Sequence, residues 1–257
     1  MKTFIRTILV MVVCLAVFSS PVTAQAPTPV PFIVPPGGIA IIGFNFDDPN
    51  QFAFVCLVDI PSGTEIRFTD KGWTDNQDFG QYESIISWYT PGGCDLGQII
   101  TINPSEHKTN TSGDWPFDFS SNGDQIFVYQ YISSQTHLVF GLNSKSTNWQ
   151  SSSDGTSKLI STLPTIFTTY NPRPAIALNE IDNSIYTGPT SFTTTTAALA
   201  AIVNVNNWSG DNSVRQNMPT GPFLFTTTAV HLSECSAETG GESAPWWVLL
   251  GLVIVPV

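Results

Sequence analysis

The side-chain oxygens of this 257-residue chain are gathered in groups beside apolar runs. Asp47, Asp48 and Asn50 form one group, and Asp70, Asp75, Asn76 and Asp78 a second. Asn122 and Asp124 make a third, and Glu180, Asp182 and Asn183 a fourth. Calcium takes about six to eight oxygen ligands and is bound usefully outside cells even by weak sites. Two such loops meeting at one end of a sheet would make a Ca²⁺ site, with Asp47, Asp48, Asp70, Asp75, Asp124 and Asp182 as its ligands. Asp70 and Asp124 lead the set, because each abuts a strand that would hold it rigidly. None of the groups has the spacing of an EF-hand loop. The competing expectation is plain: Asp and Asn also build turns by bonding to their own backbone.

Aromatic rings offer a second chemistry. Trp73, Trp88, Trp115, Trp149 and Trp208 could stack on sugars, although core packing is the commoner use of tryptophan. Period-2 placement makes Trp88 a core residue, whereas Trp73 sits in the loop 70–80 and is the expected ligand contact. Catalysis has little support. His107, His137 and His231 are scattered outside any zinc spacing. There is no G-x-S-x-G elbow, Walker-type loop or C-x-x-C, and nothing picks out a carboxylate pair for glycoside hydrolysis. The reading is a protein that is not an enzyme.

The compartment is written at the ends. Lys2 and Arg6 precede the apolar run 8–18, which leads to Val22-Thr23-Ala24, the order of a secretory signal peptide over residues 1–24. Of the four cysteines, Cys14 leaves with that leader. Cys56 and Cys94 both lie inside the expected folded body and are the preferred disulfide, with a buried thiol at Cys56 as the alternative. Cys235 is then left over for an intermolecular disulfide with a partner chain. Asn110-Thr-Ser and Asn207-Trp-Ser are glycosylation acceptors in a eukaryotic secretory pathway. The tail divides into a polar spacer, 231–245, and an uncharged apolar run, 246–257. That run is too short to span a bilayer as a helix and fits a glycolipid-anchor signal attached near Ser236. A truncated span and a loose apolar tail are the other readings.

The formal net charge is −11, and removing Lys2 and Arg6 makes the chain more acidic still. Such a surface repels phosphate backbones and anionic membranes, so nucleic acid is not an expected partner. Membrane contact is expected only through the C-terminal tail or its anchor. Only 11% of residues are charged, against about 25% in ordinary soluble domains.

The elements that must position these groups are strands. Residues 25–36 form a Pro-rich, extended lead-in. From Gly37 the runs 39–46, 52–60, 65–69, 84–89, 98–102, 125–131, 137–142, 175–179 and 223–227 alternate with turn chemistry and read as strands. The run from Phe52 is apolar on both faces, the mark of an interior strand. One helix is expected at about 194–205, capped within Thr193–Thr196 and ended by Asn206-Asn207. The fold class is all-β: one sandwich over residues 37–230 with a single helical excursion.

Several phrases carry a resemblance. They are Gly38-Ile-Ala-Ile-Ile-Gly-Phe-Asn45, Gly63-Thr-Glu-Ile-Arg-Phe-Thr-Asp70 with Gly72-Trp73, and Gly123-Asp-Gln-Ile-Phe-Val-Tyr-Gln130. Ala177-Leu-Asn179, Ile181-Asp-Asn-Ser-Ile-Tyr186 and Asn207-Trp208 continue it. The chain resembles an uncharacterised extracellular module of secreted multidomain bacterial and microbial proteins, found beside lamin-tail-like and Ig-like domains. That likeness implies an Ig-like or lamin-tail-like β-sandwich and carries no established activity. The expected function is a non-catalytic module on the cell surface or outside the cell, in adhesion or structure. Its expected partner is an extracellular protein or glycan; Ca²⁺-assisted carbohydrate binding is the first alternative and a secreted hydrolase the second.

Overall fold

The computed structural model describes residues 31–81, 83–106 and 117–226. The signal peptide, Asn110, Cys235, Ser236, the spacer and the apolar tail lie outside the described residues.

Two five-stranded sheets make the body. The first contains β1 (Ile39–Asn45), β2 (Gln51–Cys56), β5 (Ile99–Ile102), β9 (Asn183–Tyr186) and β11 (Trp208–Asp211), in the order β11-β9-β1-β2-β5 and antiparallel throughout. The second contains β3 (Glu65–Thr69), β4 (Ile85–Tyr89), β6 (Gln125–Ile132), β7 (Gln135–Asn143) and β8 (Ala175–Ala177), ordered β4-β3-β6-β7-β8. Only β7 and β8 run parallel in it. The long connection that parallel strands require is residues 144–174. A short parallel ribbon pairs β10 (Ser191–Phe192) with β12 (Leu224–Phe225).

The reason for a sandwich is visible in β2, whose two faces are both apolar. Phe52 and Phe54 project inward and meet Phe68 of β3 at ring distances of 5.0 and 5.2 Å. Ala53 and Val55 on the other face are equally buried. β2 sits between β1 and β5, an interior strand as its composition predicts. Outside the first sheet, Met218 and Pro219 close over Gly43, where a Cβ would lie 3.1 Å from the methionine sulfur.

Strand β6 is two-faced in the same way. Ile126 and Val128 join the main core, while Phe127 and Tyr129 join a second, smaller one with Trp73, Leu138 and Phe167. This outer core is roofed by the loop after β3 and by the 144–174 connection. The consequence is functional, because those two loops also carry candidate site residues.

The helix α1 spans Thr195–Ile202, shorter than the 194–205 expected. The Thr194 hydroxyl accepts from the Ala197 N–H, and a 3-10 turn at Val205–Asn207 takes over the remainder. Cys56 and Cys94 form a disulfide at the end of the sandwich away from the acidic loops.

Candidate functional site

Antiparallel pairing brings the oxygen-bearing loops to one end of the molecule. β1, β3, β5, β7, β8 and β11 finish there, and β2, β4, β6 and β9 begin there. The two sheets are tied across that end, since Ile181 N–H donates to Ser144 O at 3.2 Å and Asn50 Nδ2 to Asp118 Oδ1 at 3.0 Å. Every one of the six expected ligand residues therefore borders the same set of loops. What they do there is chiefly architectural.

Asp70, at the end of β3, is fully buried and accepts on both oxygens. Ser84 N–H donates to Oδ1 at 2.9 Å and Asp118 N–H to Oδ2 at 3.2 Å. Asp124, just before β6, accepts from Ser120 N–H at 2.8 Å, Gln125 N–H at 2.8 Å and Gln125 Nε2 at 2.9 Å. The same Gln125 amide also donates to the carbonyls of Asp70 and Lys158. Asp75 exchanges two bonds with Ser153, one from each backbone N–H, and so pins the β3–β4 loop to the 144–174 connection. Asp47 Oδ2 accepts from Asn183 Nδ2 at 2.7 Å, while Asp48 is exposed.

Glu83 is the carboxylate that sequence reasoning missed. It lies just before β4, is 4% exposed, and its Oε2 has no hydrogen-bond partner among the described residues. Burial, then the charges of Asp124 and Asp70, push its pKa up to about 10; Lys158 and the Gly72 N–H oppose this only in part. Burial likewise raises Asp70 to about 7 against its backbone donors, and raises Asp124 well above the ordinary range, with Asp70 adding to the effect. Three acids thus share one desolvated corner, and ionising one opposes ionising the next. No pattern in the sequence marks Glu83, because its burial comes from loops distant along the chain.

Asp182 is the other strained acid. It is 4% exposed, with Oδ1 unpartnered among the described residues, and burial followed by Glu180 and Asp47 pushes its pKa up to about 6. The Gly123 N–H donates to it, and Gly123 itself requires a left-handed backbone, φ +81°. Among the described residues, no three His, Cys, Asp or Glu side chains form a group that could hold a metal ion. The physical reason is that most of the expected ligand oxygens already accept backbone or amide N–H groups, as turn-building carboxylates do.

Trp73 does not stand on the surface. It is 5% exposed, edge-on to Phe79 at 4.9 Å, within the outer core. One edge of it nonetheless borders a groove of about 700 Å³ between that core and the lead-in residues Ile33, Val34 and Pro36. Asn207, the second expected glycan acceptor, is half-buried, and its Nδ2 donates to Ala201 O at 2.9 Å, beside the end of the helix.

Comparison with known protein families, with characterised proteins and with solved structures finds no match for this chain. The fold and the site rest on the chain's own chemistry.

Proposed function

We propose that the protein is a non-catalytic module of the cell surface or extracellular space, engaging an extracellular protein or glycan and tethered through its C-terminal tail. The observation that carries this reading is the Cys56–Cys94 disulfide, which joins the end of β2 to the turn before β5. Structural disulfides persist in oxidising compartments and are rare in reducing ones. The order of charge, apolar core and small residues in 1–24 agrees with export.

The acid groups support a binding role over a chemical one. Asp70 and Asp124 spend their oxygens on loop N–H groups and the Gln125 amide, which ties the loop end together. A lamin-tail-like or Ig-like ancestry belongs to the same proposal, as does nucleic-acid avoidance by a chain of formal charge −11.

Mass spectrometry of protein recovered from its native cells tests the reading. The expected species begins after Ala24, ends near Ser236 and is released from cells by a phosphoinositide-specific phospholipase. Recovery of a cytosolic species that keeps residues 1–24 would refute it.

A further inference from the structure

The groove beside the outer core has a lining unlike the rest of this acidic molecule. Among the described residues, no Asp, Glu, Lys or Arg lines it. Its walls are apolar side chains and uncharged amides and hydroxyls, with half-buried His137 as their one titratable neighbour besides Tyr170. Its volume, about 700 Å³, falls in the range of small-ligand sites. Three large side chains stay on its surface: Tyr170 at 40%, Ile166 at 45% and Ile33 at 48% exposed.

One polar group in the groove is held in advance. Gln77 sits at φ +60°, a conformation that costs a non-glycine residue energy and that clusters at functional sites. Its Oε1 accepts from Thr165 N–H at 3.0 Å, Thr165 Oγ1 at 2.8 Å and Trp73 Nε1 at 3.4 Å. Two of those donors are N–H groups that cannot reverse role, so the amide orientation is fixed and Nε2 is turned away from them. Trp73, buried, thereby acts as a support for Gln77. The exposed ring is Tyr170.

We infer that this groove binds a neutral oligosaccharide, with Tyr170 as the stacking ring and Gln77 Nε2 as a fixed donor to sugar oxygens. An aromatic face meets the apolar face of a sugar ring, and a preorganised amide avoids the entropy of ordering a free side chain on binding. A lining without Asp, Glu, Lys or Arg among the described residues favours a neutral ligand, because desolvating a strong charge there has little to offset it. Gln77 belongs to the acidic 70–80 loop, but its neighbours Asp75 and Asp78 are not among the groove's lining residues, so the ligand needs no metal. The inference names a ligand for the surface module proposed above, yet its readout is independent of tethering or processing.

The test is intrinsic tryptophan fluorescence and calorimetry on the secreted chain with hexasaccharides of β-1,4-glucan, β-1,3-glucan, α-1,4-glucan and mannan. Each is measured with and without EDTA, and hyaluronan and alginate oligomers serve as anionic probes. At least one neutral hexasaccharide is expected to bind with a Kd below about 1 mM, unchanged by EDTA. Tyr170→Ala and Thr165→Val should each weaken it at least tenfold, while Tyr89→Ala, exposed elsewhere on the body, should not. Unchanged thermal midpoints in these variants separate loss of binding from loss of fold. Silence from all four neutral sugars overturns the inference. Binding that needs calcium, that prefers the anionic oligomers or that survives both groove substitutions overturns it equally.

Discussion

Replacing Glu83 by Gln should stabilise the protein at neutral pH and flatten its pH dependence. A carboxyl group whose Oε2 meets no donor is poorly placed to be an anion, and burial beside Asp124 and Asp70 keeps it protonated up to about pH 10. The unfolded chain releases the same proton near its ordinary value of 4.5. Between those limits the folded state holds one more proton than the unfolded state. The stabilising contribution is complete below about pH 4.5 and is lost at about 1.4 kcal/mol per pH unit as pH rises towards the folded value. At pH 7 the loss reaches about 3 kcal/mol as a ceiling, and relaxation around the site reduces it. Asp70, raised to about 7, and Asp124, also raised, tilt the profile the same way. A neutral amide of the same shape removes the Glu83 share alone. Urea unfolding at pH 5, 6, 7 and 8, with the disulfide intact, reads the difference. The substitution is expected to gain about 1–3 kcal/mol at pH 7 and almost nothing at pH 4.5. A less stable variant at pH 7, or identical pH slopes for the two proteins, would refute the reasoning.

Three further outcomes follow from single features of the fold. Removing the disulfide with Cys56→Ala and Cys94→Ala opens a loop with a sequence separation of 38, a loss of about 4 kcal/mol in the chain-entropy model, read as a shift in the denaturation midpoint. The β6–β7 hairpin turns on Ser133 and Ser134, both at positive φ (52° and 63°), so Ser133→Asn with Ser134→Gly should gain about 1 kcal/mol. A loss there would show that the serines hold the turn by contacts beyond their backbone angles. Thr194→Ala removes the hydroxyl that accepts from Ala197 N–H at 3.1 Å and should cost about 1 kcal/mol, measured by the same unfolding assay.

The strands that were legible in the sequence are those with a local pattern. β1, β2, β3, β6 and β7 carry alternating or two-faced apolar runs, and their bounds differ from the sequence reading by few residues. β9 and β11 were not legible. Asn183 and Ser184 are polar yet buried, and they become strand residues because Asn183 bonds Asp47 and the Asp211 carbonyl while Ser184 bonds the Ser209 carbonyl. Trp208-Ser-Gly-Asp211 has no strand signature of its own and is ordered by its pairing with β9. The Ser133-Ser134 turn lacks the Asn-Gly chemistry that marks such turns, so the hairpin was read as wider than it is.

The acidic loops divide along the same line. That Asp70 and Asp124 abut strands is a matter of neighbouring residues, and the sequence by itself determined it. It equally determined the all-β class and the interior position of β2, whereas between a Cys56–Cys94 bridge and a buried thiol at Cys56 the structure decides for the bridge. Only the tertiary structure decided that Glu83 joins those two acids, that Trp73 is buried against Phe79 and Phe127, and that Tyr170 and Gln77 line one groove. The physical reason is range. Alternation and turn chemistry act within a few residues, whereas desolvation and groove formation depend on loops such as 70–84 and 144–174 that meet only once the sheets have paired.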